Sequence, residues 1–115
     1  MEHQGSCHCG QIAFEVEGDV GDVVSCNCSI CRRKGSLLWF VPRGKLKLTT
    51  PESAMSTYTF NTHRIEHRFC PTCGCAPLAY ANAPDGTPMA AINVRCLPGV
   101  DLAGLTVKEY DGKSV

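Results

Sequence analysis

Cys70-Pro71-Thr72-Cys73-Gly74 is the stretch from which this chain is best read. Two cysteines bracket a tight turn, and the glycine behind them permits the backbone to reverse, so both sulfurs can point at one metal ion. A knuckle of this kind supplies two ligands, and a closed metal site takes four. Working outward, further thiols occur at Cys7-His8-Cys9 and at Cys26-Asn27-Cys28-Ser29-Ile30-Cys31. Seven of the nine cysteines therefore fall into three tight clusters. Seven thiolates divide into four, which close a tetrahedron, and three, which leave a corner open. An open corner is where zinc does chemistry.

Spacing alone admits two groupings. In an extended chain residues i and i+2 point the same way, so Cys7 and Cys9 share a face with His8 opposite, as do Cys26 and Cys28 with Asn27 opposite. One grouping joins Cys7 and Cys9 with Cys70 and Cys73, leaving Cys26, Cys28 and Cys31. The other joins Cys28 and Cys31 with Cys70 and Cys73 as a zinc ribbon, leaving Cys7, Cys9 and Cys26. Closing ~60 residues rather than ~40 costs only a few tenths of a kcal/mol more, so loop length does not choose. The first grouping keeps each local cluster intact and is geometrically simpler.

The rest of the composition narrows the setting. A chain of 115 residues is expected to form one domain, spanning 1–115. Hydrophobic residues make up 43% and charged residues 19%, as in a folded soluble protein. Eleven basic side chains balance eleven acidic ones, which provides no footprint for nucleic acid or an anionic membrane. No apolar run approaches the ~20 residues that span a bilayer. Met1-Glu2-His3-Gln4-Gly5 lacks the basic and apolar regions of a signal peptide. A cytoplasmic location is the expectation, and there clustered cysteines favour metal over disulfides. The odd cysteine count points the same way.

Strand alternation dominates the chain and helical periodicity is scarce. Ile12, Phe14 and Val16 alternate with Ala13, Glu15 and Glu17, which predicts a half-buried strand. Val23-Val24-Ser25 runs apolar into the second cluster. Leu37 to Val41, a turn at Arg43-Gly44, and Lys45 to Thr49 together suggest a hairpin over 37–49. Thr57 to Phe60 and Arg64 to Phe69 suggest another, joined near Asn61-Thr62-His63. Leu78 to Tyr80 and Met89 to Val94 flank a turn at Ala83-Pro84-Asp85-Gly86. Arg32 to Ser36 and Val100 to Leu105 read as short helical turns. The expected fold is mostly β, pinned by metal.

The order Gly5-Ser6-Cys7-His8-Cys9-Gly10, Cys26-Asn27-Cys28-Ser29-Ile30-Cys31-Arg32-Arg33 and His67-Arg68-Phe69-Cys70-Pro71-Thr72-Cys73-Gly74 resembles a known family. With Ile92-Asn93-Val94-Arg95-Cys96-Leu97 and Val100-Asp101-Leu102, it looks like the glutathione-dependent formaldehyde-activating enzymes, a domain family that includes centromere protein V. The likeness runs from about Gly5 to Leu105. It implies a small Mss4-like zinc-bound β-fold with two zinc ions. Cys7, Cys9, Cys70 and Cys73 would hold a structural zinc; Cys26, Cys28 and Cys31 would hold a catalytic one. The family's named reaction joins glutathione and formaldehyde as S-hydroxymethylglutathione, which is carbon–sulfur lyase chemistry. The founding members are longer, so glutathione-contacting residues in their extra segments do not carry over. Site chemistry transfers better than substrate identity.

Zinc held by three thiolates carries a formal charge of about −1, a weak Lewis acid that still binds a fourth thiol as thiolate. Thiolate is the reactive form of sulfur. A small thiol such as glutathione and a small carbonyl are thus the expected partners. Arg32 and Arg33 are candidate clamps for a substrate carboxylate, set against a solvated basic turn. His67 shares a strand face with Ile65 and Phe69, as a core histidine or a proton shuttle beside metal. Cys75 and Cys96 read as bystander thiols, the alternative being that one of them or a histidine closes the second metal site as a structural one. Trp39 and Phe40 read as core or pocket wall, His8 as solvent-facing, and His3 and His63 as terminus and loop residues. The competing function is a non-catalytic, zinc-stabilised binding module, for which a three-cysteine open site would serve no purpose.

Overall fold

The alternation at Phe14 and Val16 builds a strand whose inward side chains are fully buried. The computed structural model describes residues 2–60 and 63–112. These residues form β1 (Glu2–Ser6), β2 (Ala13–Glu17), β3 (Val23–Cys26), α1 (Ser29–Lys34), β4 (Leu38–Pro42), β5 (Leu46–Leu48), β6 (Ser56–Tyr58), β7 (Glu66–Phe69), β8 (Leu78–Asn82), β9 (Pro88–Asn93) and β10 (Val107–Tyr110). The protein is mostly β, with short 3₁₀ turns elsewhere. Among the described residues no helix is long and apolar enough to cross a membrane.

Two sheets pack together. The smaller has the order β1-β2-β5, all antiparallel. The larger has the order β10-β3-β4-β9-β8-β7-β6, antiparallel except for the parallel pair β10 and β3. Phe14 and Val16 join Trp39, Val41, Leu78, Tyr80 and Ile92 in one buried cluster. Period-two alternation then turns the intervening residues of β4, β8 and β9 to the other face of the larger sheet. Burying a side chain such as Phe14 or Ile92 contributes about 1.5–3 kcal/mol each.

The hairpin over 37–49 is not formed. β4 pairs with β9 and β3, while β5 pairs with β2 in the other sheet. The Arg43–Lys45 stretch is a 3₁₀ turn that carries the chain between sheets. Alternation marks a strand but not its partner, and Leu46 and Leu48 find theirs opposite Val16 and Phe14. The hairpins of β6 with β7 and β8 with β9 do form, although Asn61 and Thr62 of the first connection lie outside the described residues. β1 and β10 gave no sequence signal. β1 is a polar edge strand, and every residue of β10 is exposed. His3 is no loose terminus: its Nε2 lies 3.0 Å from the Gly18 carbonyl and its ring stands edge-on to Trp39.

Candidate metal centres and the cavity on the outer face of the larger sheet

The first sulfur group sits where the two sheets meet. Cys7 and Cys9 lie in the loop from β1 to β2, and Cys70 and Cys73 in the loop from β7 to β8. Their four sulfurs lie within 4.8 Å of one another. The Cys7–Cys9 and Cys9–Cys70 sulfur separations are 3.8 and 3.6 Å. A tetrahedral ion with Zn–S bonds of ~2.3 Å requires neighbouring sulfurs about 3.8 Å apart, so the donor set fits zinc. Both loops turn in the same way. Gly10 (φ 85°) follows Cys9 and Gly74 (φ 82°) follows Cys73, a conformation that glycine adopts at little cost. The extended-chain argument for Cys7 and Cys9 therefore does not hold, because His8 and Cys9 form a turn and the sulfurs converge around it.

Backbone N–H groups prepare these sulfurs for charge. Ile12 N–H donates to Cys7 Sγ at 3.2 Å, and Thr72 and Cys73 N–H donate to Cys70 Sγ at 3.4 Å. The N–H groups of Cys75 and then Cys9 hold the Cys73 thiol down at about 5. Cys9 is pushed up to about 11: the Gln11 N–H pulls it down, but burial and the neighbouring sulfurs outweigh that. Crowded thiols cannot all ionise together without a cation among them.

The second group is built locally. Cys26 ends β3, Cys28 is the N-cap of α1, and Cys31 lies inside the helix. Their sulfurs also lie within 4.8 Å of one another, and no other His, Cys, Asp or Glu among the described residues joins them. This is the grouping that keeps the local cluster intact; the ribbon pairing with Cys70 and Cys73 is not formed. Burial pushes Cys31 up to about 12. For Cys28 burial acts upward too, but the N–H groups of Cys31 and Ile30 and the adjacent thiols bring it below the ordinary value. Cys75 and Cys96 stay outside both groups, and burial raises Cys96 to about 11.

The three sulfurs open on a cavity of about 190 Å³. Its floor is one cross-strand row of the larger sheet: Phe40, Ala91, Ala79 and His67 stand side by side on β4, β9, β8 and β7. The two alanines leave a trough between the larger end residues. Tyr110, from β10, forms another wall. This strand is held over the site because Asn27 N–H donates to the Tyr110 carbonyl at 3.2 Å and Asn27 Nδ2 donates to Asp111 at 3.0 Å. Sequence reasoning missed Tyr110 and the trough. Alanines at alternate positions of otherwise bulky strands (Ala79, Ala81, Ala91) were the available signal.

Among the polar groups, His67 and Lys34 line the cavity. His67 is 7% exposed. Its ring stacks on Phe60 with centroids 5.6 Å apart, and its Nε2 has no hydrogen-bond partner among the described residues. Burial, then the charge of Lys34, hold its pKa below the usual histidine value. Partial burial likewise lowers Lys34, with Cys31 and Cys28 pulling the other way. Arg32 and Arg33 do not line this cavity. Both are exposed on the outer side of α1, in an open groove with Asn27 and Ser29, and Arg33 donates to the Ser29 carbonyl at 2.8 Å. Trp39 is core, whereas Phe40 is 48% exposed at the cavity edge.

The family model described as "Glutathione-dependent formaldehyde-activating enzyme" matches residues 2–101. The crystal structure of a Rhodobacter sphaeroides protein is similar over 96% of this chain and 100% of its own, with a TM-score of 0.79 and 29% identity.

Proposed function

The chain belongs to the glutathione-dependent formaldehyde-activating enzyme family, and from that premise we propose that it is a carbon–sulfur lyase forming or cleaving a thiol adduct of a small carbonyl at Cys26, Cys28 and Cys31. The observation that carries this reading is an incomplete donor set facing a cavity: three thiols, no fourth protein ligand among the described residues, and about 190 Å³ beside them. Structural zinc is closed by four protein ligands, whereas catalytic zinc keeps a position free. Cys7, Cys9, Cys70 and Cys73 would hold the structural ion that ties the sheets together.

A zinc ion on the triplet would supply a place where a substrate thiol is held as thiolate. The chain's own groups do the rest. The apolar trough excludes water around the sulfur and the carbonyl carbon, which favours the dehydrated carbonyl over its hydrate. Drug-sized ligands occupy pockets of ~300–1,000 Å³, so this cavity suits a thiol-bearing end and a small carbonyl, not a whole tripeptide. The remainder of a thiol such as glutathione would lie outside the cavity; Arg32 and Arg33, in the separate open groove on the outer side of α1, would meet its carboxylates only if it reached around the helix. A reducing compartment such as the cytoplasm would keep the seven thiols available for metal.

The test is metal content followed by titration. Freshly purified protein should carry two zincs per chain, and added glutathione should bring one more sulfur to the second, read at the zinc absorption edge. Cys28→Ser should abolish that gain while the protein remains folded with one zinc. Unchanged adduct formation in folded Cys28→Ser protein would sink the assignment.

A further inference from the structure

We propose that His67 handles the proton of this reaction: Nε2 receives the proton of the incoming thiol and passes it to the carbonyl oxygen as the carbon–sulfur bond forms. The inference rests on the thiol-adduct reading above and adds a residue to it. His67 is 7% exposed, lines the cavity that the three sulfurs open on, and leaves Nε2 without a partner among the described residues. A buried ring nitrogen is normally satisfied by protein or water. Packing alone does not account for it, since a phenylalanine would stack on Phe60 equally well. The imidazole is also held in place, by Phe60 at 5.6 Å and by its register between Tyr58 and Ala79.

The groups that share the cavity with His67 fit this use. They are Lys34 from α1, the three thiols from β3 and α1, and the Tyr110 phenol from β10, with Ser36 and Asn93 as neutral neighbours. Burial and then the charge of Lys34 disfavour the imidazolium, and a neutral ring with its proton on Nδ1 has a lone pair on Nε2. The sulfur of an incoming thiol gives up its proton to Nε2. Its lone pair attacks the carbonyl carbon, the C–S bond forms, and the C=O π pair moves to oxygen. The proton on Nε2 then transfers to that oxygen. Thiol and carbonyl are conserved in the hydroxyalkyl thioether, His67 ends neutral, and nothing is oxidised. The reverse sequence cleaves the adduct. No His67 nitrogen is grouped with the three sulfurs as a fourth ligand.

General acid–base groups contribute ~10²–10⁴-fold. With zinc-loaded protein, glutathione and ¹³C-formaldehyde, exchange NMR should show His67→Phe lowering turnover by about 10²-fold with little change in KM. His67→Gln should do the same and lose the acid limb of the pH profile. Zinc content should match the parent protein. In the parent, the ¹⁵N resonance of His67 Nε2 should move when glutathione is added. A folded His67→Phe protein working at the parent rate overturns the proposal, and should that variant not fold, an Nε2 resonance indifferent to glutathione and formaldehyde overturns it instead. If the second zinc gains a sulfur while the variants lose nothing, only the proton role fails. If the parent neither gains a sulfur nor accelerates the reaction, the thiol-adduct reading and the proton role fail together.

Discussion

Gly112 offers a sharp test of how the three-cysteine group is held. The backbone after β10 passes so close to the triplet that a Cβ built on Gly112 would lie 2.6 Å from Cys26 Sγ and 3.3 Å from Cys28 Cβ. The first contact is about 0.8 Å short of the 3.4 Å at which ordinary contact begins. Cys26 Sγ is one bond from its Cβ and cannot swing clear as a long side chain would. In Gly112→Ala either the sulfur or the strand must retreat by about that distance. Metal–ligand bonds tolerate ~0.2 Å, so a displacement of this size takes Cys26 out of bonding range. If the strand gives way instead, the Asn27 N–H to Tyr110 bond of 3.2 Å is lost and the cavity wall shifts. Disturbing what orients metal ligands typically costs 10–100-fold in affinity. The expected result of a chelator competition is therefore one zinc bound as tightly as in the parent and one released about 10–100-fold more easily. The melting temperature in zinc should hold within a few degrees, because a Cβ at Gly112 meets Cys26, Cys28 and Tyr110 and no residue of the four-cysteine group. Two zincs retained with parental affinity would refute the reasoning that the terminal strand braces this site.

Other consequences can be checked more briefly. Cys70→Ser removes a fully buried thiol that joins the two sheets; loss of a metal site costs more than ~4 kcal/mol, so melting should fall by well over 10 °C, whereas Cys31→Ser should leave it near the parent value. Tyr80→Phe deletes the hydroxyl that donates to Glu52 at 3.0 Å while keeping the ring under the Arg43 guanidinium; urea unfolding should show a loss of about 1 kcal/mol, and a loss several times larger would mean that the ion pairs of Glu52 with Arg43 (3.3 Å) and Arg68 (3.7 Å) collapse with it. The Cys73 thiol is lowered to about 5 in the folded chain, so folding favours its ionised form. Its contribution is complete above the unfolded thiol value near 9.0 and fades as pH falls through about 5. Metal-free protein should thus melt lower as pH drops from 9 to 5, and metal-free Cys73→Ser should lose less over the same interval. Equal slopes for the two would exclude Cys73 as the source.

The sequence by itself determined which thiols cluster and where most of the strands run. Cysteines at spacings of two and three bring sulfurs together locally, and Gly74 behind Cys73 already marked one of the turns that aim them; the matching turn at Gly10 lies behind a pair that reads as extended chain. Local patterns of that kind survive in one dimension because they depend on neighbours a few residues apart. The alternation at Phe14 and Val16 and the hairpins at β6–β7 and β8–β9 were legible for the same reason. Pairing between distant segments was not. Leu46 and Leu48 alternate correctly whichever strand they join, and only the close packing of Phe14 and Val16 against them decided for β2. Spacing left two groupings of the thiols; the meeting of the β1–β2 and β7–β8 loops at the junction of the sheets chose one. The cavity belongs to tertiary structure altogether. Phe40, Ala91, Ala79, His67 and Tyr110 come from five strands, and no local signal says that two alanines will lie side by side beneath three sulfurs. Arg32 and Arg33 show the converse: adjacency to Cys31 in the chain suggested the pocket, but a helical turn rotates each residue by ~100°, which carried them to the outer side and brought Lys34 to the cavity instead.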